Sequence, residues 1–197
     1  MSIQLAKTSL FIAACAISTA ASAHTGHATL SLMDGLAHPF GADHLLAMLA
    51  VGVWSVSALP SGKVWQGPAA FMLALLLSAV LGASGVTVPY LEHAIALSVV
   101  LFGLMLVLAT KPMPTAFGLG LIALAASLHG LAHGAETPEA GFVGYAAGFL
   151  LVTGVLHLSG VGMGLSLRRW LAERSVSVLG GLGAALGMAG LYLFSQV

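Results

Sequence analysis

The segment His38-Pro39-Phe40-Gly41-Ala42-Asp43-His44 sets two imidazoles and a carboxylate at the head of an apolar run, Leu45 to Val56. Further along, His129, His133 and Glu136 bring the same donor types at spacings of four and three residues. Histidine with carboxylate is a ligand set that suits divalent first-row transition metals. A charged group at the centre of a bilayer costs about 2.5–3.5 kcal/mol on insertion scales, so such residues mark ion or proton paths. On an α-helix, positions 129, 133 and 136 project from one face. Two imidazoles one turn apart can grip a single ion, as they do in zinc-binding helices. Glu136 then either binds or orients that ion, or is a simple loop acid beside Glu139. Positions 38, 43 and 44 do not share a face of a straight helix, at about 100° per residue. His38 joins Asp43 and His44 only if the chain bends, and Pro39 and Gly41 supply the means. Met48, one turn below His44, offers either a thioether or simple packing.

Three further places carry candidate ligands. Glu92, next to His93, opens the third apolar run of the mature chain. His157 lies deep in the fifth run, about 24 Å along a helix counted from Gly141. It is either a relay for an ion leaving the site or a core imidazole bonded to Ser159 or to a carbonyl. His24-Thr25-Gly26-His27 would form a chelating end, a free amine with the His24 ring and His27 close by, if the chain is cut before His24.

The elements that must position these groups follow from composition. The chain has 197 residues, of which 59% are hydrophobic and 6% charged, against roughly 25% charged residues in a soluble domain; its mean hydropathy is +1.04. That is the composition of an integral membrane protein surrounded by lipid. A formal net charge of zero leaves no basic surface for nucleic acid. No GxxxxGK[ST] sequence occurs, which argues against ATP hydrolysis by this chain.

Residues 1–23 read as a signal peptide, with Lys7, a short apolar stretch from Leu10 to Ile17 and Ala21-Ser22-Ala23 before the cut. A rival reading takes Ile12-Ala13-Ala14-Cys15 as a lipoprotein box with Cys15 lipidated. Cys15 is the only cysteine, so cleavage before His24 leaves neither a disulfide nor a thiolate ligand. Residues 24–197 are then expected to form one all-α domain of six membrane spans, near 35–58, 65–84, 90–109, 115–134, 141–165 and 176–195. Lys63, Lys111 and the group Arg168, Arg169 and Arg174 fall in the first, third and fifth loops. Positive residues mark cytoplasmic loops, so the expected topology is N-out and C-out in a bacterial inner membrane. It puts His38, Asp43, His44, Glu92, His129, His133 and Glu136 at the outer side, with His157 towards the cytoplasm. The small-residue pairs Gly144/Gly148, Gly160/Gly164 and Gly183/Gly187 allow close helix approach, either within one chain or between two.

With these residues in place, the chain resembles the HupE/UreJ family of nickel and cobalt transport proteins. The run from His38 to Trp54 resembles the first-helix signature, with the His-x4-Asp-His core shared by wider nickel/cobalt permeases. His129-Gly130-Leu131-Ala132-His133-Gly134-Ala135-Glu136 resembles the fourth-helix signature. Ala42 departs from a frequent leucine, Leu131 from a histidine found in some members, and His93 is not a usual family position. The resemblance implies a non-enzymatic permease with no prosthetic group, whose cargo is Ni2+ or Co2+ carried from periplasm to cytoplasm for a hydrogenase or urease. The site residues it implies are His38, Asp43, His44, His129, His133 and Glu136, then Glu92 and His157. Two rivals stay open: a membrane metalloenzyme or haem carrier, and an accessory protein that holds metal without moving it. Oligomeric state and the choice between nickel and cobalt are not set by these residues.

Overall fold

In the computed structural model, residues 31–138 and 141–197 are described, and all regular elements among them are helices. The expected signal peptide, Cys15, His24, His27 and Glu139 lie outside the described residues. Helix α1 (Ser31–Ala37) runs into a 3-10 turn at His38–Phe40 and is followed by α2 (Ala42–Ala58). Gly41, between them, has left the helical region with ψ 141°. Its N–H donates to the His38 carbonyl at 3.3 Å, and its own carbonyl accepts from Leu45 N–H at 2.9 Å to start α2. Proline has a fixed φ and no N–H to continue the preceding helix, so Pro39 and Gly41 turn the axis by 75°. The stretch expected as one span at 35–58 is therefore a broken pair.

The remaining helices are α3 (Gln66–Ala83), α4 (Leu91–Val107), α5 (Thr115–Ala135), α6 (Phe142–Trp170) and α7 (Ser175–Phe194). Four helical stretches are long and apolar enough to cross a membrane, and the broken pair would make a fifth. Helix α4, with 17 residues, is a shorter apolar helix, about 26 Å long. The described residues thus form the all-helical bundle of a multi-pass membrane protein. Its outward face carries Leu73, Leu77, Leu124, Leu151, Leu158 and Leu191, all exposed, as expected of a helix surface that meets hydrocarbon.

The fifth expected run, 141–165, extends to Trp170. Arg168 and Arg169, expected in the following loop, instead occupy the last turn of α6. Cations are favourable beside unpaired C-terminal carbonyls, and a guanidinium on a long stem can reach the interface from a helix end.

Helix α2 is the axis of the bundle. Ala47, Met48, Val51, Val53 and Trp54 are buried in the core, and α2 packs on α6, α4 and α3. Helix α3 pairs with α5, and α4 with α7. Glycines make these contacts close. A methyl at Gly52 would lie 2.5 Å from the His157 carbonyl oxygen, and one at Gly160 would strike the Leu49 carbonyl. A methyl at Gly103 of α4 would likewise strike the Gly183 carbonyl and the Gly187 nitrogen of α7, although one at Gly187 itself would meet nothing. Gly148, Gly160, Gly164 and Gly183 thus serve packing within the chain, where close backbone approach drives membrane-helix association.

This packing gives a matched test. Gly160→Val forces α2 and α6 apart and is expected to lower stability by about 1–3 kcal/mol, the usual effect of overpacking. Gly162→Val, two residues along the same helix with open space around it, should leave the thermal midpoint in detergent almost unchanged.

Candidate metal centre

The break between α1 and α2 folds His38 back over the start of α2. His38, His44 and His133 each present a ligand atom, and those atoms lie within 4.8 Å of one another. The His38 ring centroid is 5.6 Å from that of His44 and 4.4 Å from that of His133. His44 sits between the two α5 histidines, 4.5 Å from His129 and 4.7 Å from His133, nearly perpendicular to both. Two residues expected to share a helix face thus do so, but only His133 enters the tight set of three. His129 lies one turn deeper against the other side of His44.

Each imidazole is held by one nitrogen. His44 Nδ1–H donates to Asp43 Oδ1 at 2.9 Å, and the same oxygen accepts the His44 backbone N–H at 2.8 Å. His44 Nε2 is left buried and without a partner. A carboxylate behind an imidazole fixes its tautomer and raises its basicity as a ligand; the Asp43 oxygen resolved in these contacts is aimed at His44. His129 Nε2 lies 2.9 Å from Ser98 Oγ. That hydroxyl also lies 2.7 Å from the Ile95 carbonyl, to which it donates its single proton. His129 Nε2–H is therefore the donor to Ser98, and its buried Nδ1 keeps a bare lone pair. His133 Nδ1 stands 3.5 Å from the Tyr145 hydroxyl, at the outer limit of a hydrogen bond, and its Nε2 is buried without a partner.

Glu136 follows α5 as its C-cap and reaches His38, with Oε2 3.2 Å from Nε2. The neutral ring donates Nε2–H to the carboxylate, which leaves the His38 lone pair on Nδ1. Partial burial raises the Glu136 carboxyl above the usual carboxylate range, and the charge of Glu92 pushes the same way. Glu136 is thus joined to the histidines through His38 rather than standing apart as a loop acid. Glu92 is exposed in the first turn of α4 and lies outside the set of three. His93 packs on Phe194 and Tyr90, away from the histidine set. Met48 is wholly buried in the apolar core. His157 bonds the Thr153 carbonyl through Nδ1 at 2.8 Å, while Ser159 bonds Val155.

Three contributors went unseen in the sequence. Ser98 fixes His129, Tyr145 meets His133 and edges His38 at 5.8 Å, and Phe149 stacks on His133 at 4.5 Å. Only Ser98 had a local signal, a serine in an apolar run six residues beyond Glu92. Several imidazoles with bare, buried nitrogens and a carboxylate behind one of them match the nitrogen-rich donor set that suits zinc, nickel, cobalt or copper.

A profile of the family described as HupE / UreJ protein matches residues 12–193. The chain belongs to the HupE/UreJ family. It is 40% identical to Protein HupE of Rhizobium leguminosarum bv. viciae over 187 residues, covering 94% of this chain and 96% of that protein. No solved structure matches it. The two segments that resemble family signatures in the sequence form the helix break and the end of α5, whose histidines meet.

For a metal bound here, the back-bond from Asp43 predicts a measurable effect. Asp43→Asn keeps the size and loses the charge behind His44, and should weaken nickel or cobalt binding about 10–100-fold by equilibrium dialysis. The helical circular dichroism spectrum should not change.

Proposed function

We propose that the chain is a permease that carries nickel, with cobalt as a second substrate, from the periplasm to the cytoplasm for a nickel enzyme such as a hydrogenase or urease. One observation carries this reading: the break at Gly41 gathers His38, His44 and His133, with ligand atoms within 4.8 Å of one another, inside an apolar bundle. Family membership supports it. In this reading residues 1–23 are a cleaved signal peptide, the broken pair and α4 complete six spans, and Lys63, Lys111, Arg174 and the arginines in the last turn of α6 hold loops one, three and five in the cytoplasm. The histidine set then faces the periplasm at the mouth of a bundle in the inner membrane. The chain acts as a transporter rather than an enzyme, and the metal is its cargo. His24 and His27 would gather metal at the mature N-terminus.

The imidazoles and Glu136 replace part of the hydration shell of the ion. Conduction requires binding strong enough to admit the ion and weak enough to release it. Facilitated diffusion down the concentration gradient is the simplest drive.

The test is uptake into proteoliposomes loaded with a metal-sensitive dye. Wild type should move nickel and cobalt without an imposed pH gradient, and His44→Ala should lower uptake by about tenfold or more, since it removes a central ligand. Wild type that binds nickel but never moves it would replace the permease with a metal-holding accessory protein. Protonation takes the lone pair from an imidazole, so uptake should fall once the outer pH is low enough to charge the ligand histidines.

A further inference from the structure

Below the histidine set the bundle holds another polar position. His157 on α6 is buried, and its Nδ1–H is committed to the Thr153 carbonyl at 2.8 Å. That bond fixes the tautomer and puts the lone pair on Nε2, which is buried with no partner. Thr153 lies one turn earlier on the same face, and its Oγ1 is likewise buried and unpartnered. Two polar atoms stripped of water with no protein partner need an explanation, and an apolar core alone does not give one.

The position is adjacent to the site already described. The buried ring of Phe71, from α3, lies 5.9 Å from the ring of His129 and 4.8 Å from that of His157. Along α5, Glu136, His133 and His129 step inward one turn at a time, by about 4.5–6 Å per step. Phe71 comes next, and His157 touches the same ring. On α2, Gly52 backs this position, since any side chain there would strike the His157 carbonyl.

We propose that His157 Nε2 is a second binding station for a partly dehydrated divalent transition-metal ion, separated from the outer histidines by the ring of Phe71. The inference rests on the permease reading and deepens it. An ion released from His129 passes the edge of Phe71 and is met by one imidazole, a weaker site than the outer set. Fewer ligands on the inner side let the ion leave, as multi-site conduction requires.

Uptake kinetics in proteoliposomes containing the full chain test this station, with nickel as the probe. His157→Ala should lower maximal uptake by about tenfold while the half-saturating concentration stays within about twofold, because the outer site still captures the ion. Nickel retained at the outer histidines, measured by equilibrium dialysis, should be unchanged. His157→Cys supplies a softer ligand and should restore part of the uptake while shifting preference from nickel towards zinc and cadmium, a change no packing role would cause. Wild-type rates in His157→Ala would overturn the station and leave the permease standing. Equal loss in the Ala and Cys variants with no change of metal preference would make His157 a core residue. Wild type that moves no nickel would remove the permease reading and the station with it.

Discussion

The break in the backbone between α1 and α2 is the constraint on which the rest of the structure depends. Without it His38 would point away from His44, and Glu136 would have no imidazole to meet. Gly41 is needed there for its size: a methyl would lie 2.9 Å from Asp43 Oδ1, the oxygen that holds His44. The same residue thus releases the helix, starts the next one and leaves room for the carboxylate. Irregular backbone at membrane depth is tolerated where it is buried in protein or lines a cavity, and here α6 covers it. Gly148 of α6 meets the Leu32 carbonyl, and Gly35 of α1 meets the Tyr145 carbonyl, so the two helices seat close together at the break.

Much of this was legible because it is local. Pro39 and Gly41 announce a bend, and the spacing of His129 and His133 announces a shared face, since both depend only on neighbours along the chain. What the sequence could not show is which ring meets which. Ser98 is 31 residues from His129, and Phe71, His129 and His157 belong to three different helices. These meetings depend on how α3, α4, α5 and α6 pack, and packing of apolar helices leaves almost no mark in composition. The boundary of α6 was misplaced for a different reason. Arg168 and Arg169 look like loop residues by charge, yet a helix end beside the interface accommodates them.

The buried histidines share one design. His44, His129 and His157 each commit one nitrogen, to Asp43, Ser98 and the Thr153 carbonyl, and keep the other bare. A buried polar atom without a partner costs about 1–3 kcal/mol, while a whole domain is stable by only about 5–15 kcal/mol. Carrying several such atoms must be offset elsewhere, and the close glycine contacts of α2 with α6 and of α4 with α7 are where this bundle gains dispersion energy. Sharp definition of those contacts also holds the ring positions, since a shift of α6 against α2 would move His157 and Tyr145 together.

Ligand chemistry then bears on selectivity. The donors gathered here are imidazole nitrogens with a carboxylate behind them, and no cysteine stands among the described residues to add a thiolate. Affinity in such a set rises from cobalt to nickel to copper, so raw binding strength alone would favour copper. In the permease reading, selection of nickel or cobalt over copper therefore rests on geometry or on supply. The His44 ring stands nearly perpendicular to those of His129 and His133, and Phe149 stacks on His133, so the donors are held in fixed orientations. Nickel and copper both favour tetragonal sites, so ring orientation alone does not separate them, and in that reading the availability of each ion decides between the two.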